Sequence, residues 1–264
     1  MLQEISLEGK TALITGGGTG IGFAIAEEMA DAGASVIIVG RREEKLKEAA
    51  EKIGEKCSWY VFDVTKTEEY EDFFRKLEKK APVDILVNNA GINIKKDYFD
   101  FTAEEFDKIM ETQAKAPFML SQTAAKYMKE RKSGCILLIS SLASILGMHE
   151  IQAYTVAKSG MKGLARSLAR DLGPYGIRVN SLNPGFVYTV MLKNTNIKHG
   201  DFELNKYLIK QGDLVFLDPP YTVSHNNNGF IKYNRNLFSL QDQHRLSRYI
   251  DYIKRKGAYY ILTN

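Results

Sequence analysis

Cysteine is nearly absent from this 264-residue sequence, which holds only Cys57 and Cys135. Both sit inside apolar stretches, so free, buried thiols in a reducing compartment are expected rather than a disulfide framework. Long apolar runs are also missing. None approaches the ~20 residues that a membrane helix needs, so no membrane partner is expected. The N-terminus MLQEISLEGK lacks the apolar core of a secretory signal, and a cytoplasmic location is expected. No metal site is assigned. What remains is ordinary for a globular chain, 44% hydrophobic and 26% charged, with room for one large α/β domain or two small ones. The charge is uneven: residues 192–264 hold eleven Lys/Arg against six Asp/Glu, a net +5, which leaves −1 on residues 1–191. A tail of that charge reads as a solvated surface or as a weak, salt-sensitive contact to DNA phosphates.

Short apolar runs alternate with helical patterns through the first 190 residues. TALIT, SVIIVG, CSWYVFDV, DILVNNAG, GCILLISS and IRVNSLNPG read as strands, and GFAIAEEMADAG and REEKLKEAAEKIG as two of the helices between them. Buried strands separated by helices imply a parallel sheet covered on both faces, hence an α/β, Rossmann-like doubly wound fold.

The turn TGGGTGIG, Thr15–Gly22, follows the first strand and opens a helix. Glycines allow the backbone to turn tightly and to approach a pyrophosphate, and a helix N-terminus favours the negative charge. Gly16, Gly20 and Gly22, with Thr19 and Ile21 between them, are therefore cofactor-binding candidates, the alternative being a purely structural turn. An acid at the end of the second strand would bind the 2′-hydroxyl of NAD(H). Here Gly40 is followed by Arg41 and Arg42. Guanidinium groups there suit a 2′-phosphate, so NADP(H) is expected over NAD(H), with Arg41 as the assigned contact.

Further on, SLASILGMHEIQAYTVAK places Tyr154 and Lys158 four residues apart, on one face of a helix. A cation beside a phenol lowers its pKa and makes tyrosine usable as an acid and base near neutral pH. Ser141 ends a strand thirteen residues earlier and is placed to hydrogen-bond a substrate carbonyl.

Taken together, TGGGTGIG, Asp63-Val64, NNAG at Asn88–Gly91, Ser141, YTVAK at Tyr154–Lys158 and NPGFVYT at Asn183–Thr189 resemble the short-chain dehydrogenase/reductase family over residues 1 to about 191. The resemblance implies an oxidoreductase acting on a carbonyl or a secondary alcohol. Tyr154 would move the proton, Lys158 would hold the ribose and lower the tyrosine pKa, and Ser141 would orient the substrate. Asp63 and Val64 would face the adenine, and Asn89, Ala90 and Gly91 would line the cofactor cleft. Val187 and Thr189 would hold the nicotinamide carboxamide, and Pro184 and Gly185 are counted as cofactor-binding residues beside them. Gln113 stands where the family carries a catalytic asparagine and is counted as a catalytic candidate with a longer stem. A homo-oligomer built on helices around Gln113 and Tyr154 is the family's usual assembly.

After NPGFVYTVML the family's closing helices and seventh strand have no counterpart. The tail instead carries DLVFLDPPY, a helical stretch from Ser239 to Lys256, and AYYILTN. These resemble the catalytic core of DNA adenine N6-methyltransferases of the DPPY class over about residues 200–264. That resemblance implies that Asp218, Pro219, Pro220 and Tyr221 receive a flipped adenine beside S-adenosylmethionine. The family's Phe-x-Gly-x-Gly donor turn is absent. The expected domains are thus a reductase over 1–191, lacking its last strand, and a C-terminal βαβ methyltransferase-like fragment over 192–264. A natural fusion, a misassembled frame and a deliberate chimera all fit the junction near 192–200. The tail strands are expected to extend the exposed sheet edge at IRVNSL, with a separate tail as the competing outcome. NADP(H)-dependent oxidoreduction is the expected function. The alternatives are an inactive fusion and adenine methylation.

Overall fold

The computed structural model describes residues 6–185, 187, 211, 214–217, 240–257 and 259–262. Asp218, Pro219, Pro220, Tyr221, Thr189 and Ser239 lie outside the described residues. The chain divides into two units, one of Glu4–Asn194 and one of Met1–Gln3 with Thr195–Asn264.

The first unit is built from β1 (Thr11–Thr15), α1 (Gly20–Asp31), β2 (Ser35–Gly40), α2 (Glu43–Ile53), β3 (Cys57–Val61), α3 (Tyr70–Glu78), β4 (Ile85–Asn88), α4 (Ala103–Met110), α5 (Ala116–Arg131), β5 (Gly134–Ile139), α6 (Gln152–Leu172) and β6 (Ile177–Leu182). The six strands form one parallel sheet in the order β3-β2-β1-β4-β5-β6. Every strand of the first unit read from the sequence is present, and the Rossmann-like sheet is the expected one.

Alternation along the strands divides the core into two layers. Leu13, Ile37, Leu86, Ile136 and Leu138 point to one face, where they meet Tyr70, Phe74 and Leu77 of α3, Leu120 and Met128 of α5 and Met161 of α6. Ala12, Ile14, Val36, Ile38 and Val87 point to the other, against Ala26 and Ala30 of α1 and Leu46 and Ala49 of α2. Small residues on α1 let that helix lie close to β1, which places its N-terminus directly beyond the strand end. Cys57 and Cys135 are free thiols packed at the edge of this second layer. They are half-buried rather than fully buried, because strand ends taper toward solvent. Burial pushes the Cys57 thiol up to about 11.

In the second unit β7 (Leu214–Leu217) and β8 (Tyr259–Leu262) flank α7 (Leu240–Arg255). The two strands run parallel, so the expected βαβ order is present. Leu246, Tyr249 and Ile253, spaced three and four apart, are its buried residues. The expected extension of the main sheet is not seen among the described residues. β7 and β8 pair with each other in a two-stranded sheet of their own, and the six-stranded sheet ends at β6. Among the described residues no helix is long and apolar enough to cross a membrane, and no group of residues is arranged to hold a metal ion.

Phe74 is fully buried at the centre of the first layer. Phe74→Ala should lower the unfolding free energy by about 3–5 kcal/mol. Urea denaturation followed by circular dichroism measures this, and a loss below about 1 kcal/mol would contradict the packing described.

Candidate active site

All the candidate residues in the described part of the first unit lie at or just beyond the C-terminal ends of the strands, where parallel α/β sheets bind ligands. The glycine turn joins β1 to α1. Gly16 and Gly20 have φ of 67° and 59°, a region that side chains disfavour. Gly22 is needed for a different reason: a Cβ there would stand 2.4 Å from Gly16 O and from Asn89 Nδ2. Thr19 caps α1 with its backbone alone, and the first turn of α1 holds no acid. That leaves forward-facing N–H groups without competing negative charge, as a phosphate site requires.

Asn89 and Ala90 meet this turn. Their N–H groups both donate to Thr15 Oγ1 at 2.9 Å, and Asn89 Nδ2 donates to Thr15 O at 2.9 Å and to Gly16 O at 3.3 Å. Thr15 was not singled out from the sequence. A threonine closing a strand just before the first glycine was the available signal.

At the end of β2, a Cβ on Gly40 would meet only Leu46 Cδ2, at 3.7 Å, so the position is open. Arg42 Nη2 donates to Thr19 Oγ1 at 3.4 Å, which brings this second arginine to the glycine turn. Asp63 holds Thr65 through its backbone N–H at 3.0 Å and its hydroxyl at 2.9 Å. Partial burial works against the Asp63 carboxylate, but the Thr65 hydrogen bonds and the nearby Arg41 and Lys66 charges outweigh it. The carboxyl is held below its ordinary value. Val64 is buried beside it.

The acid–base group departs from expectation in one respect. Ser141 Oγ accepts the Ala143 N–H at 3.1 Å, and its hydroxyl lies close enough to Tyr154 to act on the phenol. Lys158 is buried, donates from Nζ to Ile139 O at 2.8 Å, and lies 5.5 Å from the centre of the Tyr154 ring. Burial raises the Tyr154 pKa, and the Ser141 hydroxyl only partly opposes it. The depressed phenol expected from the lysine's charge is therefore not present. Burial also drops Lys158 to about 8, so the cation that was to lower the phenol keeps its charge at neutral pH but gives it up more readily than a free lysine. Ser140, another residue the sequence reading passed over, donates to Lys158 O at 2.7 Å and so fixes the lysine's helix turn on β5.

Gln113 lies in a π-turn, Glu111–Lys115, between α4 and α5, and is 1% exposed. Its Nε2 donates to Ile92 O at 2.5 Å, and its buried Oε1 has no partner. Beyond β6, Pro184 O accepts from Leu142 N at 2.9 Å, which ties this segment to the Ser141 loop. Gly185 and Val187 follow it and are exposed.

A family model described as short chain dehydrogenase matches residues 10–200. The chain belongs to the short-chain dehydrogenase family. Among curated relatives, the 3alpha-hydroxysteroid dehydrogenase of Mediterraneibacter gnavus is 38% identical over 70% of this chain and 77% of its own. The gluconate 5-dehydrogenase of Gluconobacter oxydans is 37% identical over 78% of this chain and 81% of its own. A solved structure described as an NAD(P)-dependent gluconate 5-dehydrogenase from Beutenbergia cavernae, with bound NADP, has a TM-score of 0.68 at 34% identity. It covers 72% of this chain and 77% of its own. The short-chain dehydrogenase is thus an NAD(P)-dependent oxidoreductase. The tail's likeness to methyltransferases gains no support from these comparisons.

Because Lys158 titrates near 8 and sits among the cofactor candidates, NADPH affinity should fall as pH rises through about 8, when the lysine loses its proton. Lys158→Arg keeps the charge and should flatten this dependence. Fluorescence titration between pH 6.5 and 9.5 measures it, and a flat wild-type profile would contradict the assignment.

Proposed function

We propose that this short-chain dehydrogenase interconverts a ketone and a secondary alcohol with NADP(H), that NAD(H) binds less well, and that its substrate is a polyhydroxy acid. The cofactor choice is carried by the end of β2. No acid stands there, and two of the acids of α2 are engaged by lysines of the same helix: Glu43 with Lys47 at 2.8 Å and Glu48 with Lys45 at 2.7 Å. Among the described residues, neither Arg41 nor Arg42 has a carboxylate within ion-pair range; Arg41 acts on Asp63 only at longer range, and Arg42 touches the Thr19 hydroxyl at the glycine turn. The bound NADP of the Beutenbergia relative supports the same choice. Relatives named for gluconate and for 5-keto-D-gluconate support the substrate class.

The cradle of Gly16, Gly20, Gly22 and Thr19 fits a pyrophosphate, and Asn89–Gly91 with Pro184, Gly185 and Val187 would border the nicotinamide. Bound there, the cofactor supplies or accepts the hydride. Tyr154 gives its phenolic proton to the substrate oxygen during reduction and takes it back during oxidation. A phenol raised by burial rests protonated, ready as the acid. Ser141 hydrogen-bonds the same oxygen and Gln113 holds the Ile92 carbonyl, while Lys158 carries the charge next to the phenol.

NADPH should bind more tightly than NADH at moderate salt, and Arg41→Asp should move the preference toward NADH. Equal dissociation constants in the wild type would overturn the cofactor reading. Tyr154→Phe should lower turnover by at least about 100-fold while leaving NADPH binding intact. Methyl transfer is not part of this function. Asp218–Tyr221 supplies an acceptor box with no donor turn anywhere in the sequence. No tritium should pass from S-adenosylmethionine to unmethylated duplex DNA, and incorporation that Asp218→Ala removes would reverse that view.

A further inference from the structure

Two loops meet at the start of α6, the helix that carries Tyr154, and one residue clasps them together. The first runs on from Gly91 through Lys96, and the second leads into α6. Glu150 lies in the second loop, four residues before Tyr154, with φ of 60°. That conformation is unfavourable for a side chain and persists only where surroundings hold it. Here the Glu150 carbonyl accepts the Lys96 N–H at 3.0 Å. Its carboxylate faces two basic side chains, with Oε2 3.3 Å from Lys95 Nζ and Oε1 3.6 Å from His149 Nδ1, the second contact being an ion pair only when the imidazole is protonated. Ile94, next to Lys95, packs against the cluster of Ile109, Ala153 and Ala157, which fixes the first loop to the start of α6.

The neighbouring lysine is not available in the same way, because Lys96 is bound to both oxygens of Glu105 at 3.1 Å. Lys95 and His149 remain accessible, with side chains 56% and 86% exposed. The first turn of α6 adds N–H groups nearby and holds no acid.

We propose that Lys95 and His149 form the subsite for the carboxylate of the substrate, and that Glu150 fills it as an internal stand-in until substrate arrives. This rests on the oxidoreductase reading given above. The carboxylate of a hydroxy acid or keto acid has the same shape and charge as the Glu150 side chain and takes the same two partners. The exchange is easy, because an ion pair this exposed contributes little by itself. A substrate anchored at Ser141 and Tyr154 presents its carboxylate at a high effective concentration and displaces the glutamate. A neutral polyol has no group to make the exchange.

Calorimetric titration of the protein saturated with NADP+ tests this, using D-gluconate and D-glucitol, which differ only in a carboxylate against a hydroxymethyl group. D-gluconate should bind at least about tenfold more tightly than D-glucitol. Lys95→Met should remove that advantage without changing D-glucitol binding. Glu150→Gln removes the competitor's charge and should tighten D-gluconate. Equal binding of the two ligands, binding of neither, or an unchanged preference in Lys95→Met overturns the subsite. Failure of NADP+ itself to bind, read in the first titration, instead overturns the oxidoreductase reading on which the subsite depends.

Discussion

The hydroxyl of Thr15 is the interaction on which the site depends. A threonine oxygen has one proton to donate and two lone pairs to fill. Thr15 uses all three: it donates to Val87 O at 3.3 Å and accepts the N–H groups of Asn89 and Ala90. It thereby closes the ends of β1 and β4 on each other at the point where both chains leave the sheet. Asn89 answers with its side chain, binding Thr15 O and Gly16 O. The glycine turn and the NNAG segment thus form one rigid block, in which Gly22 is fixed by sterics rather than by backbone conformation. Gly16, Asn89 and Gly22 leave no room for a Cβ between them.

A second constraint is a conflict within α6. The same burial that packs Ala153, Ala157 and Met161 into the core also carries Lys158 inward. A buried ammonium loses hydration, and its hydrogen bond to Ile139 O only partly replaces it. The lysine's pKa falls, and Tyr154 beside it is pushed the other way. Both shifts favour the neutral partner, so the resting pair is a protonated phenol next to a cation close to giving up its charge. That arrangement favours proton donation over abstraction, and it leaves the Lys158 charge sensitive to any anionic group brought near it.

Most of the first unit was legible because its signals are local. Apolar runs such as SVIIVG and GCILLISS can be buried on both faces only in a covered parallel sheet. The glycine turn and the Tyr154–Lys158 spacing each name a strand–helix junction or a helix face. What was not legible depends on atoms distant in sequence. Nothing around Thr15 says that its hydroxyl meets residues 89 and 90, and nothing around Arg42 says that its guanidinium reaches Thr19. The expected depression of the Tyr154 pKa failed for the same reason: spacing gives the shared face, while the depth of the face below the surface decides the sign. The expected pairing of the tail with IRVNSL treated an exposed strand edge as a demand for a partner. Among the described residues β7 and β8 pair only with each other, and the sheet ends at β6.

Gln113 shows how a departure from the family pattern is absorbed. The π-turn of Glu111–Lys115 adds a residue to the helix and turns the side chain inward, where a regular helix would have carried it past the loop. The longer stem then delivers the amide to Ile92 O, but its other end must lie over Gly91. A Cβ on that residue would stand 2.6 Å from Gln113 Oε1, well inside contact distance. Gln113 and Gly91 are therefore a matched pair. The glycine is needed here for the space it leaves, and its φ is not positive. An asparagine, shorter by one methylene, would leave that space unfilled and would reach the Ile92 carbonyl only if the loop moved toward it. The segment after β4 is thus set from below by the length of one side chain, while the Thr15 network sets it from the side.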